Sequence, residues 1–95
     1  MKTSKSPAVV AYTAYEAGKK VLPNWSHEFS PKKFTQPQLF ACLVLKSFFN
    51  TDYRGITAIL EEHIIIRKVL HLEHIPHYTT LQKASKNILK SKTVK

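Results

Sequence analysis

The apolar and polar positions of this chain alternate in blocks whose internal spacing is helical rather than strand-like. The first block covers about residues 7–22. Ser6-Pro7 opens it as an N-cap followed by a first-turn proline, where a missing N–H costs no helical bond. Gly18 lies inside the block and lowers its helix propensity. Residues 23–33, with Pro23 and Pro31, read as a linker in which Trp25 and Phe29 pin the chain to the core.

The second block, about residues 36–49, starts from Thr35, with Gln38 at the place of a capping-box partner. It is apolar nearly all round: Leu39, Phe40, Ala41, Cys42, Leu43, Val44, Leu45, Phe48 and Phe49, interrupted only by Lys46 and Ser47. A helix of that kind is expected to be the central, buried one. Asn50-Thr51-Asp52 ends it and caps a third helix over about residues 53–62. There Tyr53, Ile56, Ile59 and Leu60 fall on one stripe, with Arg54, Glu61 and Glu62 on the other side.

The run of β-branched residues at 64–66 is compatible with a short strand. A lone strand has no partner here, so a short helix over about residues 65–70 is the reading adopted. A turn at 73–77 containing Pro76 leads to a last helix over about residues 78–90. Leu81, Ala84, Ile88 and Leu89 lie on one of its faces, opposite Lys83, Lys86 and Lys90. The expected fold is therefore all-α, four to five short helices in a helix-turn-helix-like bundle. Its domain spans residues 7–90, between basic tails at 1–6 and 91–95.

Composition changes the picture in two respects. Two glycines in 95 residues argue against an all-β fold rich in tight turns and leave no phosphate-cradling glycine loop. The net charge of +9 points to a polyanionic partner. Its distribution is uneven: residues 1–33 carry +4, residues 34–80 are neutral and residues 81–95 carry +5. The lone cysteine, Cys42, reads as a small buried hydrophobe and fits a reducing cytoplasm. No signal peptide is apparent, because the early apolar stretch is broken by Thr13 and Glu16. The longest unbroken apolar run, Leu39 to Leu45, is far short of a membrane span.

Three segments carry a family resemblance. They are Phe-Thr-Gln-Pro-Gln-Leu at 34–39, Asp-Tyr-Arg-Gly at 52–55 and Ile-Pro-His-Tyr-Thr-Thr-Leu at 75–81. In this order and spacing they resemble the amino-terminal, DNA-binding region of IS4/IS5-like DDE transposases, over well more than half the chain. That region has a Thr-Gln-Pro-Gln-Leu helix start, a Tyr-Arg helix start, and a Pro followed by Thr-Leu before its last helix. The resemblance implies a domain that binds double-stranded DNA at the ends of a mobile element, associated with the nucleoid, with a possible homo-oligomer. The family draws its catalytic carboxylates from an RNase H-like α/β domain, which would begin where this chain stops. The chain alone is thus expected to bind DNA without cutting it.

The candidate DNA-binding residues each have a plainer alternative. A helix-turn-helix presents the amino-terminal residues of its second helix to base edges, here His77, Tyr78, Thr79 and Gln82, with Thr80 beside them. Gln82 has the bidentate geometry for adenine, and the threonines suit a phosphate or a thymine methyl. Lys83, Lys86 and Lys90 would hold the backbone, and the unpaired N–H groups of the helix start would attract phosphate. Alternatively the lysines are a wetted face and Thr79 is an N-cap. Arg54 occupies the first turn of its helix, where the dipole disfavours a cation. It either reaches phosphate or pairs with Asp52 or Glu61, the pair being the preferred reading.

Other chemistry finds little support. His63, His71, His74 and His77 invite a metal, but Cys42 is distant and Pro76 breaks the helix that would align the rings, so no metal or cofactor is expected. Glu61 and Glu62 point about 100° apart and do not converge on a metal pair. No catalytic residue and no small-molecule substrate are expected. Two other classes remain: a helical oligomerisation module built on the first two helices, and a peripheral membrane binder. The last helix lacks the large aromatic anchor that the membrane reading needs.

Overall fold

The computed structural model describes residues 6–22 and 34–93, with side chains as far as Ile88. It contains five helices and, among the described residues, no strand: α1 Pro7–Val21, α2 Gln36–Phe49, α3 Tyr53–Glu62, α4 Ile64–Val69 and α5 Tyr78–Thr93. The fold is an all-α bundle. No helix among the described residues is long and apolar enough to cross a membrane.

The capping chemistry decides most of the boundaries. Ser6 Oγ accepts the Val9 N–H at 3.2 Å, with Pro7 as the first helical residue. Thr35 and Gln38 form a complete capping box: the Gln38 N–H donates to Thr35 Oγ1 at 3.2 Å, and the Thr35 N–H donates to Gln38 Oε1 at 2.8 Å. Asp52 Oδ1 accepts the Gly55 N–H at 2.7 Å and starts α3. Asn50 ends α2 in the left-handed region, at φ 56°, and lets the Thr51 N–H reach back to the Lys46 carbonyl. His71 does the same after α4, at φ 58°, with the Leu72 N–H on the Arg67 carbonyl.

α1 and α2 form the most extensive helix pair. Ala11, Ala14 and Gly18 are the buried residues of α1, so its inner face is made of small side chains. Gly18, which lowers helix propensity, has a packing reason. A Cβ added there would lie 3.1 Å from Phe40 Cδ2 and 3.2 Å from Pro37 Cα. The core then runs through Leu45, Ile56, Leu60, Ile66, Leu70 and Leu81, all fully buried. α5 packs on α2 and α3, while α4 packs on α1 and α3. The corner expected among the last three helices is thus made by α3 and α5, with α4 turned toward α1.

Cys42 is fully buried in this core, and desolvation pushes its thiol up to about 12 from an ordinary 9.0. Gln38 is the one buried polar residue among the described residues, and both its oxygen and its nitrogen are bonded. Besides its capping-box bond, its Nε2 donates to the Leu70 carbonyl at 2.9 Å and the His71 carbonyl at 3.0 Å. One amide therefore starts α2 and also clamps the end of α4.

Two expectations need correction. α2 is not buried all round: Leu39, Phe40, Leu43, Val44 and Phe49 are half-buried, and Phe48 is 42% exposed. In so small a bundle the neighbours cover part of a central helix only. On the uncovered side Phe40, Leu43 and Val44 line a shallow groove of about 360 Å³ with Tyr53, Ser85 and Ile88. α4 lies one residue earlier than expected, starting at Ile64, because His63 alone links it to α3. α5 continues to Thr93. The linker at 23–33 with Trp25 and Phe29, residues 1–5 and 94–95 of the tails, and the side chains beyond Ile88, Leu89 and Lys90 included, lie outside what is described.

Candidate nucleic-acid interface

α5 divides cleanly into two faces. Leu81, Ala84 and Ile88 are buried against α2 and α3. Thr79, Gln82, Lys83 and Lys86 are exposed, and at 100° per residue they fall within one outward stripe centred near Thr79 and Lys86. Thr80 is half-buried at the edge. The sequence of α5 contains no acidic residue, so nothing on the helix neutralises this stripe.

The start of α5 is built differently from expectation. His77 caps the helix, and Thr79 lies inside the first turn. The Thr79 N–H donates to His77 Nδ1 at 3.2 Å, and Thr79 Oγ1 lies 2.9 Å from the same nitrogen. The Thr80 and Leu81 N–H groups both bond to the His77 carbonyl, at 2.9 and 3.2 Å. The N–H groups expected to attract phosphate are therefore largely occupied. The His77 ring is exposed yet turned back on its own helix, stacked on Tyr78 at a centroid distance of 4.5 Å.

Arg54 also departs from expectation. It makes no ion pair with Asp52 or Glu61. Asp52 holds the Gly55 N–H, and the single ion pair among the described residues is Lys19–Glu16 at 3.2 Å. Arg54 instead crosses to α5. Its Nη2 donates to the Tyr78 hydroxyl at 3.0 Å, and its guanidinium carbon lies 4.5 Å from the centre of the Tyr78 ring. The two residues meet because Arg54 is second in α3, Tyr78 is first in α5, and α3 packs on α5. Thr57 Oγ1 supports this corner, bonding the Tyr53 carbonyl at 3.0 Å and approaching the Pro76 carbonyl at 3.3 Å.

The structure thus joins Arg54, His77 and Thr79 through Tyr78, which was expected to face base edges and here holds Arg54. That pairing was not legible in sequence, since a tyrosine at a helix start gives no hint of a partner 24 residues away. Gln82, Lys83 and Lys86 stand free on the adjoining turns. The histidines do not gather: among the described residues no group of three His, Cys, Asp or Glu side chains is placed to hold a metal ion. His71 instead packs its ring on Tyr15, 5.7 Å between centroids. Comparison with protein-family models, curated proteins and solved structures finds no match for this chain.

Proposed function

We propose that the chain is a DNA-binding domain of the transposase type, which holds element-end duplex DNA through the outward face of α5 and has no catalytic activity of its own. The observation that supports this most is that face. Thr79, Gln82, Lys83 and Lys86 are exposed together, without an acid, opposite the buried Leu81, Ala84 and Ile88. A basic face on a helix whose other face is anchored can approach a polyanion without unfolding. The +5 charge of residues 81–95 and the sequence resemblance favour the same reading.

The test is fluorescence anisotropy with duplex DNA across a salt series, on a site selected from a random pool. Binding should weaken steeply with salt as counterions are displaced. Gln82→Ala should weaken the selected site more than random DNA, by about 1–3 kcal/mol for a bidentate contact. Lys86→Ala should weaken both equally and lower the salt slope by about one. No binding at low salt, or binding indifferent to salt, overturns the reading.

A second reading, a helical oligomerisation module, is favoured by exposed apolar side chains away from α5: Val9 and Tyr12 on α1, Ile64 and Ile65 on α4. Sedimentation over a range of concentrations, with Ile65→Glu beside the wild type, decides it. A monomer at all concentrations removes it.

A further inference from the structure

We propose that Tyr78 is a positioning residue that holds Arg54 ready to grip a DNA backbone phosphate beside the α5 face. This rests on the DNA-binding reading and adds a contact from a second helix. An arginine on an open surface samples many rotamers and loses that freedom when it binds. Here the guanidinium is placed beforehand, by the ring contact at 4.5 Å and the hydrogen bond at 3.0 Å. The bond uses Nη2 alone, so donors remain on Nε and Nη1 for an anion. The ring is itself held, half-buried and stacked on His77, which Thr79 fixes in turn.

The position favours phosphate over a base edge. Tyr78 lies about 100° round the helix from Thr79, at the margin of the outward stripe. Arg54 on α3 therefore flanks the face that would enter a groove, where the phosphates run. Its place in the first turn of α3 also carries a dipole cost that an arriving phosphate relieves.

The experiment uses anisotropy with a duplex of about 20 base pairs over a salt series, with circular dichroism melts to confirm folding. Arg54→Ala should weaken binding about tenfold and lower the salt slope by about one, as one lost phosphate contact does. Tyr78→Leu should weaken binding in the same direction, and should add nothing in an Arg54→Ala background. Tyr78→Phe, which keeps the ring and loses the hydroxyl, should fall between wild type and Tyr78→Leu. In the free protein the Arg54 Nε–H should show a restrained heteronuclear NOE in wild type and a mobile one in Tyr78→Leu, a readout independent of DNA. An unchanged affinity in Arg54→Ala overturns this proposal and leaves the α5 reading standing on Lys86. Additive losses from Arg54→Ala and Tyr78→Leu overturn the positioning role. A wild type that binds no DNA removes both readings, and Lys86→Ala then has nothing to weaken.

Discussion

Two helix pairs in this molecule use polar groups in opposite ways. Where α1 meets α2, the contact is small and apolar, with Ala11, Ala14 and Gly18 buried on α1 and Gly18 against Pro37 and Phe40, and the buried amide of Gln38 on α2 bonds the Thr35 N–H and the Leu70 and His71 carbonyls. Where α3 meets α5, the rim carries Arg54, His77 and Thr79 around Tyr78, with donors left over and lysines beyond. A polar group with all its partners inside the fold contributes rigidity. One with valences to spare at the surface is available to something else. The difference divides the sequence into positions that should answer to stability assays and positions that should answer to binding assays.

The largest expected effect tests the shared core. Leu81→Ala should lower stability by about 2–5 kcal/mol, as a fully buried leucine does. Leu43→Ala should cost about half as much, because Leu43 is only half-buried. Denaturant melts of both decide it, and equal losses would mean that α2 is buried all round after all. Next comes Gln38→Leu, which leaves the Leu70 and His71 carbonyls and the Thr35 N–H without their partner. A loss of about 1–3 kcal/mol is expected from stranding such groups. A neutral result would show water reaching all three and would end the contrast with the α3–α5 rim.

Gly18→Ala sets two terms against each other. Alanine gains about 1 kcal/mol of helix propensity. The added methyl meets Pro37 backbone at 3.2 Å, which cannot swing aside, so overpacking of about 1–3 kcal/mol should win and melts should show a net loss near 1 kcal/mol. A more stable variant would mean that α1 slides freely on α2. The smallest effect belongs to the other region. Lys86→Ala should change stability by less than about 0.5 kcal/mol, as an exposed unpaired side chain does, while its DNA affinity falls. A marked drop in the melt would place Lys86 among the structural residues and blur the division.

The sequence carried the helices well because their starts are written locally. Thr35 with Gln38, Asp52 ahead of α3, and Ser6-Pro7 each act within a few residues. The site was less legible for the same reason turned round. The partner of Arg54 lies 24 residues away and that of Gln38 lies 32 away, and only packing brings them together. Local rules also steered the α5 cap toward Thr79, since histidine is not among the favoured caps, yet the His77 ring reaches the N–H that a hydroxyl would otherwise take. Periodicity likewise marked α2 as greasy all round without saying how many neighbours a bundle of this size has to cover it.

The buried thiol of Cys42 gives the fold an internal clock. With its ionisation pushed up to about 12, the folded protein holds almost no thiolate near neutrality. A disulfide reagent can then react only during openings of the core, and the labelling rate counts those openings. The same feature sets an alkaline limit. Below pH 9, where the unfolded chain also keeps the proton, the contribution of the thiol is complete. As pH rises from 9 toward 12 the unfolded chain releases a proton that the folded one retains, and stability drains away. Cys42→Ala should flatten that part of the pH profile relative to wild type, and labelling at the speed of a free thiol would place the residue at the surface.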